Sequence, residues 1–266
     1  MKLTKYVKDE VAKINKVYHK LEKYDDIETL HKYRIKLRKI QAFTKIYSKK
    51  IDEKNFITLS KLIKITISPT SKLRDLDVFL SDISSMKCSL QTINNLHIII
   101  KQERSKALKK FLHIKNSHDY KKNLKQLQTL VDDYKIIIDQ KASAKIIKKL
   151  DTKMNKEFHH INMNSSLEDL HAIRKKFKTL RYGIDIHNKC FKSNIKLSSQ
   201  LHDLKTLQDL FGAIQDNNIR LKFVTKAKNI LKEEGYSELK NYFEKNIYNV
   251  KKNLFKSVES FTKKIS

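Results

Sequence analysis

The stretch Leu170-His171-Ala172-Ile173-Arg174-Lys175-Lys176-Phe177-Lys178-Thr179-Leu180-Arg181-Tyr182 sets two side-chain stripes next to each other on one helix. The first stripe is apolar and runs Leu170, Ile173, Phe177, Leu180 and, just beyond, Ile184. The second follows one residue later as His171, Arg174, Lys178 and Arg181. Successive helical residues stand about 100° apart, so the histidine and the cations fall on the shoulder of a buried face. The same reading applies 140 residues upstream, to Leu30-His31-Lys32-Tyr33-Arg34-Ile35-Lys36-Leu37-Arg38-Lys39-Ile40. There the apolar stripe is Leu30, Tyr33, Leu37 and Ile40, and the polar one is His31, Arg34 and Arg38. A cationic stripe placed twice on such a shoulder can line a groove or cavity. It predicts an anion site.

The duplication extends beyond these tracts. Lys13, Asn15, Lys16 and His19 recur as Lys153, Asn155, Lys156 and His159, and Tyr18 is answered by Phe158. Asp25 to Glu28 and Ser165 to Glu168 both read as capping boxes, each starting a helix with its histidine about two turns in. Lys64 is matched by Lys205, and one residue of slippage later Arg74-Asp75-Leu76-Asp77-Val78 faces Gln215-Asp216-Asn217-Asn218-Ile219. The period is far too long for a solenoid. Two half-repeats, approximately residues 1–118 and 119–266, predict two pseudo-symmetric helical bundles.

Composition fixes the fold class. The 266 residues include three glycines and one proline, where average usage would give roughly 19 and 13. All-β folds need turn residues far more often. With 33% charged residues, the expectation is all-α: long helices joined by short polar connections. The spacing predicts helices over residues 3–23, 26–49, 53–68, 72–85, 90–114, 119–139, 142–161, 166–190, 194–213, 215–233 and 236–263. Lys115 to Asp119 and Asn162 to Ser165 read as loops, and Gly235 as a helix C-cap. No Gly/Ser-rich or Pro-rich linker divides the chain, which predicts one compact unit of two packed bundles.

Lys plus Arg number 58 against 29 Asp plus Glu, a net charge of +29 that suits a polyanionic partner. A solvated lysine-rich surface explains any single lysine, but less well a repeated stripe of histidine and arginine in register. Cys88 and Cys190 are the only cysteines, which excludes a disulfide framework and points to a reducing cytosol. The N-terminus reads as no signal peptide, and the longest apolar run, Leu96 to Ile100, is too short for a bilayer.

Catalytic chemistry finds little support. His159 and His160 are adjacent and diverge on a helix, and no HExxH occurs, so neither a metal nor a cofactor is expected. No GxSxG, GxxxxGK[ST] or GxGxxG is present. Asp75, Asp77, Asp185 and Asp216 are expected to hold basic side chains in position, since an unpaired carboxylate on a phosphate path would repel it. The aromatics fall at core spacing and offer no base-stacking platform. This favours a ligand recognised by its phosphates.

These motifs resemble the CHAD domain (conserved histidine α-helical domain). They are His31-x-x-Arg34-x-x-x-Arg38, Arg74-Asp75-Leu76-Asp77-Val78, His171-x-x-Arg174-x-x-x-Lys178-x-Leu180-Arg181-Tyr182, and Leu207-Gln208-Asp209-x-x-Gly212-x-x-x-Asp216, in that order. Gln102-Glu103-Arg104-Ser105-Lys106-Ala107 resembles the family's basic third helix. The resemblance covers nearly the whole chain. It implies two helical bundles around a basic cavity that binds inorganic polyphosphate without catalysis. The residues it assigns to binding are His31, Arg34, Arg38, Arg104, His171, Arg174, Lys178 and Arg181, with Lys64 and Lys205 added by the repeat. Gln41 and Thr179 depart from the pattern, standing where the family usually has a basic residue. The family often accompanies a CYTH-type triphosphatase domain, but no ExExK signature occurs here, so any polyphosphate-metabolising enzyme is expected on another chain. The expected location is the cytoplasm, with association to polyphosphate granules. The alternatives are a nucleic-acid-binding basic protein and an accessory subunit of such an enzyme.

Overall fold

In a computed structural model, residues 2–21, 27–133, 135–193, 195 and 201–263 are described, except for the side chains of 201–204 and 259–263. The fold is all-α, with no strand among the described residues. The helices are α1 (Lys2–Lys20), α2 (Ile27–Ile46), α3 (Glu53–Ile67), α4 (Ser71–Asp82), α5 (Leu90–Asn116), α6 (His118–Asp132), α7 (Gln140–Phe158), α8 (Leu167–Phe191), α9 (Leu201–Lys226) and α10 (Lys228–Lys263). Single 3₁₀ turns at Ser48–Lys50, Ser68–Thr70 and Ile83–Ser85 take up the short connections.

Several boundaries have a visible chemical cause. The Asp52 carboxylate caps α3 by accepting from the Lys54 and Asn55 amides. The Ser117 hydroxyl caps α6 by accepting from the Tyr120 amide, so the loop expected over Lys115 to Asp119 shrinks to Ser117 alone. The capping box before α8 sits one residue later than its sequence signature. Ser166 Oγ accepts from the Asp169 amide at 3.1 Å, and the Asp169 carboxylate accepts back from the Ser166 amide and hydroxyl. Ser165 Oγ instead accepts from the Asn162 amide. Asp25, the N-cap of the other box, lies outside the described residues.

The glycines do not end helices. The break expected near Gln215 is absent: α9 runs unbroken through Gly212 to Lys226, and the chain turns at Ala227. Gly235 is no C-cap, because α10 passes through it with no positive φ. The kink in α10 lies three residues earlier, at Lys232 (φ 60°, ψ 167°), a region that side chains rarely enter.

The chain forms two compact units built from alternating segments. The first takes residues 1–74, 106–149 and 179–195, and the second takes 75–105, 150–178 and 196–266. In the first unit α1 packs on α2, α2 on α3, α3 on α6 and α6 on α1, closing a four-helix ring. The predicted apolar stripe of α2 faces inward, with Leu30, Tyr33, Leu37 and Ile40 all buried. Tyr120 ties the ring together: its hydroxyl contacts that of Tyr33 at 3.0 Å and donates to the Thr66 carbonyl, while its ring stacks on Tyr18. The second unit is built on aromatic packing. Phe158, Phe177 and Phe211 form one cluster, and Phe79 meets Phe223 and Phe243 edge-on in another. On α8 the predicted stripe Leu170, Ile173, Phe177, Leu180 and Ile184 is buried throughout.

Candidate functional site

Because the apolar stripes are buried, their neighbours one residue on are held at the edge of the core. His31, Arg34, His171, Arg174, Lys178 and Arg181 are all half-buried, whereas Arg38 is exposed. The two units divide the ten predicted site residues equally. His31, Arg34, Arg38, Lys64 and Arg181 belong to the first, and Arg104, His171, Arg174, Lys178 and Lys205 to the second.

In the first unit, the Arg34 guanidinium donates from Nη1 to Thr70 Oγ1 at 2.5 Å and Ser71 Oγ at 3.3 Å, which aims it across the junction of α3 and α4. His31 stands beside it, its pKa lowered by burial first and then by the charge of Arg74. Arg38 Nη1 donates to Gln41 Oε1 at 2.8 Å, so the residue that departs from the family pattern orients a motif arginine. The Arg181 guanidinium lies 5.9 Å from the Tyr182 ring centroid. Lys64 is exposed on α3.

In the second unit, α8 and α9, with Asp82 of α4, line an open pocket of about 370 Å³. Its lining includes three cations, Arg174, Lys178 and Arg220, and three carboxylates, Asp82, Asp209 and Asp216. Arg220 Nη2 donates to Asp82 Oδ2 at 2.5 Å, and its guanidinium lies 5.4 Å from the Phe79 ring centroid. Asp216 makes no ion pair among the described residues, so it does not clamp a basic side chain as the sequence suggested. Asp77 does play that role: it is buried, and its Oδ1 accepts from Arg104 Nε at 2.6 Å. Asp185 is exposed on α8, where partial desolvation raises its carboxyl pKa against the opposing charges of Arg181 and Lys39. Lys205 is exposed on α9.

Sequence reasoning missed Arg220 and Asp82. A signal for Arg220 was available, since it stands one helical turn beyond Asp216 and two beyond Gly212, on the face of the Leu207–Asp216 motif. Asp82 carries no such mark, because its role is set by tertiary packing.

The histidines predict a pH dependence. Burial lowers the pKa of His31, His171 and His187 in the folded chain. Cations add to this at His171, chiefly Lys175 and Arg174, while a hydrogen bond with Gln215 opposes it. The unfolded chain, with ordinary histidines near pKa 6.5, therefore takes up protons first. The stability that depends on neutral histidine is complete above about pH 6.5 and is lost as pH falls below it. Unfolding midpoints measured from pH 7.5 to pH 5 should therefore decline. His187 is buried with Nδ1 at 2.9 Å from Ser143 Oγ, and contributes to that decline.

A CHAD domain family model matches residues 6–225. The chain belongs to the CHAD domain family. The fold agrees: a CHAD domain crystal structure from the plant Ricinus communis superposes with a TM-score of 0.77 at 13% identity, over 97% of this chain and 90% of that one. PptA from Streptomyces chartreusis superposes with a TM-score of 0.65 at 10% identity, over 99% of this chain and 97% of that one. No curated protein matches this sequence significantly. CHAD domains are associated with polyphosphate binding. Among the described residues of this CHAD chain, no helix is long and apolar enough to cross a membrane, and no group of three His, Cys, Asp or Glu is arranged to hold a metal ion.

Proposed function

We propose that this CHAD chain binds inorganic polyphosphate in the cytoplasm through its two cationic stripes and leaves the polymer chemically unchanged. The observation that carries this reading is the half-buried stripe of histidine and arginine beside a fully buried apolar one, present on both α2 and α8. A half-buried guanidinium keeps little rotamer freedom to lose on binding. It also meets phosphate oxygens with a planar fork, whereas lysines contribute point charges.

The α8–α9 pocket adds shape to this charge. Its three cations and three carboxylates balance formally, and Asp216 opposes an anion there, so a phosphate unit is held by the geometry and hydrogen bonds of Arg174 and Lys178 rather than by net charge. The +29 of the whole chain draws the polymer in and makes binding dependent on salt. Recruitment of a polyphosphate-metabolising enzyme, or retention at polyphosphate granules, follows as the cellular use of a non-catalytic binder.

Titration with a labelled polyphosphate of defined length, with double- and single-stranded DNA as competitors at physiological salt, tests the reading. Polyphosphate should bind more tightly than either DNA at equal phosphate concentration. The polymer should remain intact over hours with Mg²⁺ or Mn²⁺. Preferential DNA binding, or phosphate release abolished by a single substitution in this chain, would refute the proposal.

A further inference from the structure

A second cationic surface lies in the first unit, on the opposite shoulder of α2 from His31, Arg34 and Arg38. Lys36 and Lys39 fall there by helical spacing, on the far side of the Tyr33–Leu37–Ile40 stripe. Their charges act on residues of α1 and α8. Glu10 of α1 is buried, with 4% of its side chain exposed, and its Oε1 accepts from Lys13 Nζ at 2.9 Å and Lys189 Nζ at 3.4 Å. Those two lysine side chains remain 44% and 58% exposed. The neutralising carboxylate therefore lies underneath, and solvent meets the ammonium groups.

Glu10 organises this surface. Burial works against its charge, but the hydrogen bond from Lys13 and the charges of Lys13, Lys36 and Lys189 together hold its pKa below the usual range. Lys189 is also fixed over the Tyr6 ring, 5.3 Å from its centroid. Further along, Lys39 and Arg181 both act on Asp185, which joins the stripe arginine of α8 to the same face. Five cations (Lys13, Lys36, Lys39, Arg181 and Lys189) thus share a surface with three carboxylates, Glu10, Asp185 and Asp9, the last acting on Lys13. Crowding is evident at Lys36, whose pKa is lowered by burial first and by Lys13, Lys39 and Lys189 after it, against the pull of Glu10. A polyanion relieves such crowding.

We propose that this α1–α2–α8 face, built over Glu10, is a second phosphate-chain site, distinct from the α8–α9 pocket. The proposal rests on the polyphosphate reading above. Flexible lysines suit a polymer with about one charge per phosphate and no preferred edge. Tyr6 is buried beneath Lys189, so its ring offers no stacking surface to a nucleobase, and this separates the proposed ligand from RNA.

The test compares three variants of the full chain with a labelled long-chain polyphosphate: Lys36→Gln/Lys39→Gln/Lys189→Gln on the face, Arg174→Ala/Lys178→Ala in the pocket, and Lys61→Gln/Lys101→Gln/Lys252→Gln at exposed control positions. The face variant should bind at least ~10-fold more weakly than the control and flatten the log–log salt dependence by about two units, using ~0.7 per contact from single-stranded nucleic acids. Combined with the pocket variant, it should lose more than either alone. Unfolding midpoints like the parent's confirm that the fold is intact. If the face and control variants bind alike while the pocket variant is impaired, the second site is refuted and the polyphosphate reading stands. A face variant that loses RNA binding but keeps polyphosphate binding would refute the second site as well. If no variant differs because the parent does not bind polyphosphate, the underlying reading fails instead.

Discussion

Replacing Arg34, Arg174 and Arg181 together by alanine should weaken polyphosphate binding by two to three orders of magnitude, roughly 3–4 kcal/mol. Charge-assisted hydrogen bonds are each worth about 1.5–3 kcal/mol, and the three do not add fully. Six engaged cations would give a log–log salt slope near −4, borrowing ~0.7 per contact from single-stranded nucleic acids. The triple variant should flatten that slope by about two units. The comparison that matters is a second triple variant, Lys32→Ala, Lys50→Ala and Lys61→Ala, which removes the same net charge from exposed positions. A chain at +29 binds any polyanion to some degree, so equal losses in the two variants would reduce the interaction to diffuse electrostatics. Arg34 needs one check of its own. Its bonds to Thr70 and Ser71 give it a structural share, so the unfolding midpoint of Arg34→Ala should be measured alone.

The sequence was most legible where one periodic pattern carried both core and site. The nine apolar positions of the two stripes are all buried, and six of the seven stripe residues beside them are half-buried, Arg38 being exposed, because on a helix one residue's burial fixes the next residue's angle. Helix ends were legible where a side chain made them, as at Asp52. They were misread near Gln215, where no break occurs, and at Gly235, where a glycine inside a helix costs only about 1 kcal/mol and packing outweighs it. The real turn at Ala227 and the kink at Lys232 carry no glycine or proline. The interleaving of the two units was not legible either. The long helices α5, α7 and α8 each supply residues to both units, and only tertiary packing decides where along a helix that change falls. The carboxylates divide in the same way. Asp77, Asp82, Asp185 and Asp216 look alike in sequence, yet one is buried in an ion pair, one pairs with an arginine in the pocket, one is exposed and one lines the pocket.

The second large effect concerns Arg104, which the family resemblance places among the binding residues and which the structure pairs with Asp77. Its Nε donates to Asp77 Oδ1 at 2.6 Å; the Asp77 side chain is 0% exposed and that of Arg104 only 18%. The other carboxylate oxygen, Oδ2, is buried without a hydrogen-bond partner. Removing the arginine therefore strands a buried charge. Arg104→Ala should destabilise the fold by about 3 kcal/mol, the low end for breaking a buried pair from one side. Asp77→Asn combined with Arg104→Ala should recover much of that loss, because the stranded charge is gone. Chemical denaturation of the parent, of Arg104→Ala and Asp77→Asn singly and of the double variant completes the cycle, and the coupling between the two changes is the interaction energy. Polyphosphate affinity of Arg104→Ala, measured where the variant is still fully folded, should fall by less than tenfold. The opposite pattern, an unchanged unfolding curve with a loss of binding as large as that of the stripe variant, would mean that Arg104 meets the ligand directly. In that case Asp77 would orient the arginine for the ligand, and the pair's contribution to stability would be secondary.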